Sequence, residues 1–170
     1  MRSGGLGAGP DDPAADLGPL NSAGHLARVE GVIERLPDHA DVLCGGGRGT
    51  AGYLFEPTVI AGVRQQDEVV QHETFGPVIT VQPFATEDEA LELANGTDFA
   101  LASSVWTNDF GVATRVSAEL DFGTVWINCH QVIPAEVPHG GFKHSGTGKD
   151  LSVYGLEDYT RLKAVTAAMR

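Results

Sequence analysis

The sequence predicts an α/β fold: an open, mostly parallel sheet with helices on both faces. Two observations carry this. From Val78 to Asn128, strand-like and helix-like patterns alternate as β-α-β-α-β, and crossovers of that length join parallel strands with right-handed connections. A 42% hydrophobic fraction over 170 residues, with mean hydropathy −0.07, suits a packed chain and argues against disorder of the whole.

The elements follow in order. Residues 1–19 are Gly, Ala, Pro and Asp with almost no large apolar side chain, which predicts a flexible arm. Leu26, Val29, Val32 or Ile33, and Leu36 then recur at helical spacing, with Asn21 or Ser22 to cap the start and Pro37 to end the run. Asp41 to Cys44 reads as a short strand, Gly45 to Gly52 as a loop, and Tyr53 to Ile60 as an extended segment interrupted at Pro57. Val78 to Phe84 is β-branched and apolar. Thr86-Glu87-Asp88-Glu89 is a capping box opening a helix through Ala94. Leu101 to Trp106 is the next strand, and Asn108 to Leu120 is a helix with Phe110, Val112, Ala113, Val116 and Leu120 on one face. Gly123 to Asn128 is a third apolar strand, followed by a Gly- and Pro-rich loop from Gln131 to Lys149. Ligands of such sheets gather beyond the carboxyl ends of strands, so Asn128, Cys129 and His130 stand where a site is expected.

Eleven Lys and Arg against 23 Asp and Glu give a net charge of −12. That field repels phosphate backbones and anionic lipids, so no nucleic-acid or membrane partner is expected. Two cysteines, Cys44 and Cys129, make neither a disulfide framework nor a zinc-ligand spacing. A reducing, cytoplasmic setting follows, and no metal site is expected. No apolar run approaches the roughly 18 residues needed to span a bilayer, and no apolar signal core follows Met1-Arg2, so a soluble, unexported chain is expected. The 22 glycines are about twice the usual share of ~7%, which calls for tight backbone turns.

Gly47-Arg48-Gly49-Thr50-Ala51-Gly52 satisfies the spacing of a dinucleotide fingerprint. The pyrophosphate, however, needs a helix N-terminus after the glycines, and Tyr53 to Thr58 has no helical period and contains Pro57. A turn is the better reading. Gly146-Thr147-Gly148-Lys149 lacks the earlier glycine and the following Ser or Thr of a phosphate loop, and reads as a flexible loop. Cys129 with His139 could pair a thiol with an imidazole base, whereas His130, adjacent on an extended strand, points the other way. A small buried hydrophobe is the simpler reading of Cys129, and Cys44 reads as structural. Glu73, in a turn before a strand, taken alone is a solvated carboxylate.

Three segments change that weight: His72-Glu73-Thr74-Phe75-Gly76-Pro77-Val78, Gly123-Thr124-Val125-Trp126-Ile127-Asn128, and Pro138-His139-Gly140-Gly141-Phe142-Lys143-His144-Ser145-Gly146. In this order and spacing the chain resembles the aldehyde dehydrogenase superfamily from about Asp11 to Ala167, and its closing stretch, Gly148 to Thr160, looks most like the aminobutyraldehyde dehydrogenase branch. The resemblance implies oxidation of an aldehyde, such as an amino-aldehyde, to the acid with NAD or NADP. It implies that Glu73 grips the nicotinamide ribose hydroxyls, that Phe75 lies beside that ribose and ring, and that Leu101 lies near the nicotinamide pocket, although Ala100 replaces a more usual glycine. It places Cys129 on the substrate-pocket wall, and Glu136 and His139, in the loop after the third strand, are expected to face the aldehyde's tail, where the branch resemblance points the same way. The family's nucleophilic Cys lies in a Gly-Gln-x-Cys segment and its general base in a Glu-Leu-Gly-Gly segment, and neither occurs here. No catalytic residue is therefore assigned. The expected organisation is a flexible arm at 1–19, a partial aldehyde dehydrogenase catalytic domain at 20–160, and an oligomerisation strand at 161–170 that joins a neighbouring subunit's sheet. That makes a truncated enzyme, inactive alone, within a homo-oligomer or a hetero-oligomer with a related chain. The alternative is a non-catalytic assembly or binding module pairing with a full-length relative.

Overall fold

The computed structural model describes residues 15–169, so most of the expected arm and Arg170 lie outside the described residues. The chain divides into two compact units, Met1–Phe84 and Ala85–Arg170. Secondary structure is mixed α/β throughout, with parallel strand pairs in both units.

In the first unit, α1 (Ala23–Glu34) starts where Ser22, in extended conformation, accepts the His25 N–H at 3.2 Å. It ends two residues before Leu36, whose position ahead of Pro37 disfavours helix. Leu26 and Val29 are buried against Phe55, with Leu20, Ile33 and Val78 packed around them. β1 (Asp41–Cys44) runs antiparallel to β2 (Thr58–Ala61), and after α2 (Glu68–Gln71) the chain returns as β3 (Val78–Thr80), parallel to β2. Ile60, Val63 and Val69 form a second buried cluster beneath Val32 and Leu36. The glycine-rich stretch is a turn, as its sequence indicates: the Gly49 N–H donates to Leu54 O at 2.8 Å and the Glu56 N–H to Gly47 O at 2.9 Å. The chain folds back on itself there, and Phe55, bridged to Arg48, precedes β2 where a single extended segment was expected.

In the second unit, α3 (Glu87–Asn95) carries its capping box. The Thr86 hydroxyl accepts the Glu89 N–H at 3.2 Å, and the Glu89 carboxylate reaches back to the Ala85 N–H at 2.6 Å. The expected strand from Leu101 is divided. β4 (Phe99–Ala100) and β5 (Ala102–Val105) flank a bend at Leu101 and take different partners. After α4 (Phe110–Glu119), capped by Asp109, β6 (Thr124–Ile127) pairs with β5 in parallel from Ala102↔Thr124 to Val105↔Ile127. β7 (Phe142–Lys143) pairs antiparallel with β4, and α5 (Ser152–Asp158) follows. Ala113 on α4 and its C-cap Leu120 are buried, but Phe110 is 84% exposed: it opens the helix at the margin of the inward face rather than on it. Residues 160–169 form no strand within the single chain. Among the described residues no helix is long and apolar enough to cross a membrane.

Candidate functional site

In the first unit the segment between α2 and β3 is a turn that feeds the sheet directly. The Thr58 N–H on β2 donates to Pro77 O at 2.8 Å, and the Val78 N–H to Gly76 O at 2.8 Å. Glu73 is exposed, and among the described residues its carboxylate makes no ion pair or hydrogen bond. Phe75, two residues on, is 67% exposed with φ at 53°, a left-handed conformation rare for an aromatic residue. Gly76 is required by packing, because a Cβ there would sit 2.9 Å from a Val29 methyl on α1. The segment thus carries an unpaired carboxylate and, two residues on, an exposed aromatic ring. A carboxylate can accept from both hydroxyls of a vicinal diol, and an exposed aromatic ring can bound a flat heterocycle.

The second unit holds a cleft of about 330 Å³ whose lining includes Leu101, His139, Gly141, Ser145, Lys149 and Asp150. Leu101 enters it from the bend between β4 and β5. His139 is fixed on two sides. Its N–H donates to Asp150 O at 2.9 Å and its carbonyl accepts the Asp150 N–H at 2.7 Å, while Nδ1 lies 3.1 Å from the Thr124 hydroxyl. The glycine loop is stitched to β4 by the Ser145 hydroxyl, which accepts the Ala100 N–H at 2.9 Å. The Lys149 ammonium lies 4.5 Å from the Phe142 ring centroid. Ser145 and Lys149 were missed as lining residues because their place depends on the β4–β7 pairing, which no periodicity announces.

Cys129 and Glu136 line other surfaces of the same unit. Cys129 is a half-buried free thiol just past β6, after Asn128 at φ 53°. The Asn128 side chain clasps the Thr107 peptide, accepting its N–H and donating to its carbonyl, both at 2.8 Å. Among the described residues no histidine hydrogen-bonds Cys129: His139 engages Thr124, and the His130 ring packs edge-on against Trp126 at 4.9 Å. A Cys–His nucleophile pair is not assembled. Glu136 is exposed in the turn whose Ala135 carbonyl accepts the Ser152 N–H at 2.8 Å. Among the described residues no group of three or more His, Cys, Asp or Glu side chains could hold a metal ion. The carboxyls held below their ordinary range lie elsewhere. Glu30, Glu68 and Glu87 are each lowered first by hydrogen bonds from Arg48, Arg35 and Arg115, and Asp67 first by the Arg64 N–H.

The family model for the aldehyde dehydrogenase family matches residues 2–165. Similar relatives include the chloroplastic betaine aldehyde dehydrogenase of Beta vulgaris, 40% identical over 162 residues, or 93% of this chain and 32% of that protein. Retinal dehydrogenase 2 of Mus musculus is also 40% identical, over 92% of this chain and 31% of its own length. Among solved structures, an aldehyde dehydrogenase from Bacillus cereus superposes with a TM-score of 0.91 at 39% identity, covering 95% of this chain and 33% of that one. Betaine aldehyde dehydrogenase from Staphylococcus aureus, in complex with NAD+, gives 0.85 at 41% identity, over 91% and 32%. The chain belongs to the aldehyde dehydrogenase family. It spans about a third of the length of the curated relatives it matches.

Proposed function

We propose that the chain supplies part of the nicotinamide site and part of the aldehyde pocket of an NAD- or NADP-dependent aldehyde dehydrogenase. The observation that carries this reading is the Glu73–Phe75 turn, with its unpaired carboxylate and its aromatic residue at positive φ. In the first unit, Glu73 accepts hydrogen bonds from the nicotinamide ribose hydroxyls and Phe75 limits where the ring lies. In the second, Leu101 bounds the cofactor side, Cys129 is a pocket wall, and Glu136 and His139 face the substrate's tail. Bound oxidised nicotinamide supplies the hydride acceptor. The NAD+ complex of the Staphylococcus aureus relative supports that cofactor class.

The chemistry also requires a nucleophile to make the aldehyde carbon tetrahedral and an activated water to release the acid. The 170 residues contain no Gly-Gln-x-Cys or Glu-Leu-Gly-Gly segment, so this reading assigns both roles to residues outside this sequence and assigns no catalytic residue within it. The closing stretch Gly148 to Thr160 favours an amino-aldehyde as substrate, and the two free cysteines suit a reducing, cytoplasmic setting.

A second reading, a non-catalytic module that pairs with a related full-length chain, rests on residues 161–169. Leu162, Val165 and Met169 there are largely exposed, and the segment forms no helix or strand of its own, so its backbone is open to strand addition on another subunit's sheet. The two readings separate in a chimera joining this chain to the preceding two-thirds of the Bacillus cereus enzyme. The first reading expects aldehyde oxidation, with turnover reduced at least about tenfold by Glu73→Gln at saturating cofactor because the nicotinamide loses its orientation. Unchanged kinetics in that variant would refute the role of Glu73.

A further inference from the structure

We infer that His25 is a positioning residue that holds the Phe75 turn in the backbone conformation presenting Phe75 and Glu73. This rests on reading that turn as the nicotinamide ribose site. His25 lies on the first turn of α1, fifty residues away in sequence, and its Nε2 is 2.5 Å from the Phe75 carbonyl oxygen. A carbonyl only accepts, so Nε2 carries the proton and donates. The other edge of the ring lies 3.1 Å from the Asn21 side-chain amide; with the proton on Nε2, Nδ1 accepts, so the amide presents its NH2 group rather than its oxygen there.

The contact falls where the backbone most needs support. A non-glycine residue at φ 53° persists only when its surroundings over-determine it. Two groups of α1 do so here. Val29 fills the space a side chain on Gly76 would take, and His25 fixes the carbonyl of the residue just before it. Helix and turn therefore meet through one apolar and one polar contact on consecutive residues. Loss of the donor frees the Phe75–Gly76 peptide to rotate, and the Phe75 ring and Glu73 carboxylate then lose their common presentation.

The test uses the full chain, labelled with ¹⁵N and ¹³C, and nicotinamide mononucleotide as the probe. In the wild type, histidine side-chain spectra should place a proton on His25 Nε2, and Phe75 couplings should report positive φ. His25→Ala should move Phe75 out of that region and weaken mononucleotide binding about five- to tenfold, the worth of one hydrogen bond. His25→Gln, which keeps an N–H donor, should restore both. An unprotonated Nε2 in the wild type, or a Phe75 conformation unchanged in His25→Ala, overturns the proposal. Should the alanine variant fail to fold, Asn21→Ala, which leaves the Ser22 cap in place, should still loosen the Phe75 turn, and an unmoved turn there counts against it. If the turn responds as expected but the mononucleotide leaves the Glu73 and Phe75 signals of the wild type unshifted, His25 holds the turn and the ribose reading fails.

Discussion

Replacing Gly123 by Ala should cripple the second unit, and the structure says why. Its φ lies outside the left-handed region, so the cost is one of space. An added Cβ would stand 1.7 Å from the Gly140 carbonyl oxygen, 2.7 Å from its carbon and 3.1 Å from the Gly141 Cα. Ordinary contact begins near 3.4 Å, so the Gly140 carbonyl must retreat by about 1.7 Å. It has nowhere to go. A Cβ on Gly140 would itself meet Gly148 O at 2.6 Å, and the preceding residue, His139, is bonded to Asp150 through both its N–H and its carbonyl. Overpacking of about 1–3 kcal/mol, plus about 1 kcal/mol for each backbone hydrogen bond lost, gives roughly 3–5 kcal/mol. For a unit of this size that lowers the melting temperature by at least about 12 °C. The two tryptophans, Trp106 and Trp126, both lie in this unit, so tryptophan fluorescence follows its unfolding directly. Gly24→Ala is the control. It sits in α1 with nothing within 4 Å, and should leave the tryptophan melt unchanged while stabilising the helix by about 0.5–1 kcal/mol. A Gly123→Ala chain melting within about 2 °C of the wild type would refute the steric account.

Three further outcomes are expected. The Asp67 carboxyl accepts the Arg64 N–H at 2.7 Å and hydrogen-bonds His39 at 2.8 Å, and these contacts, the Arg64 one first, hold it below its ordinary 3.8. A depressed folded value means the contribution is complete above the unfolded value and lost only as pH falls through the folded one. The Arg64 amide signal should therefore show an acid step whose midpoint lies below about pH 3.8 and which is lost in Asp67→Asn; a midpoint near pH 5 would contradict it. In the chimera, Glu136→Gln should reduce the preference for amino-aldehydes over neutral aldehydes of equal length by up to about fivefold, the worth of ~1 kcal/mol of screened attraction. An unmoved preference would show that Glu136 does not face the substrate. The chain alone, mixed with NAD, NADP and a panel of aldehydes, should show no growth at the reduced-nicotinamide absorbance band; turnover abolished by Cys129→Ala would make Cys129 the nucleophile instead.

Much of this molecule was legible from local pattern. The β5-α4-β6 crossover and its parallel pairing follow from alternating strand and helix periods. The α3 cap follows from Thr86 and Glu89 three residues apart, and the glycine turn at 47–52 from the absence of a helix after it. The roles proposed for Glu73 and Phe75 rest on a motif whose meaning lies in family resemblance, since a lone turn carboxylate looks the same as any other. What tertiary structure alone decided is of another kind. It broke the expected strand at Leu101, paired two-residue β4 with β7, turned Phe110 outward, and set His25 against a carbonyl fifty residues away. It also explained two glycines of the motifs, Gly76 by the Val29 methyl it admits and Gly123 by the backbone it lets pass. The physical reason is the range of the signal. Periodicity and capping are set by neighbours three or four residues apart, so the chain carries them openly, whereas a close approach of two backbones or a side chain donating to a remote carbonyl exists only once the intervening chain has folded.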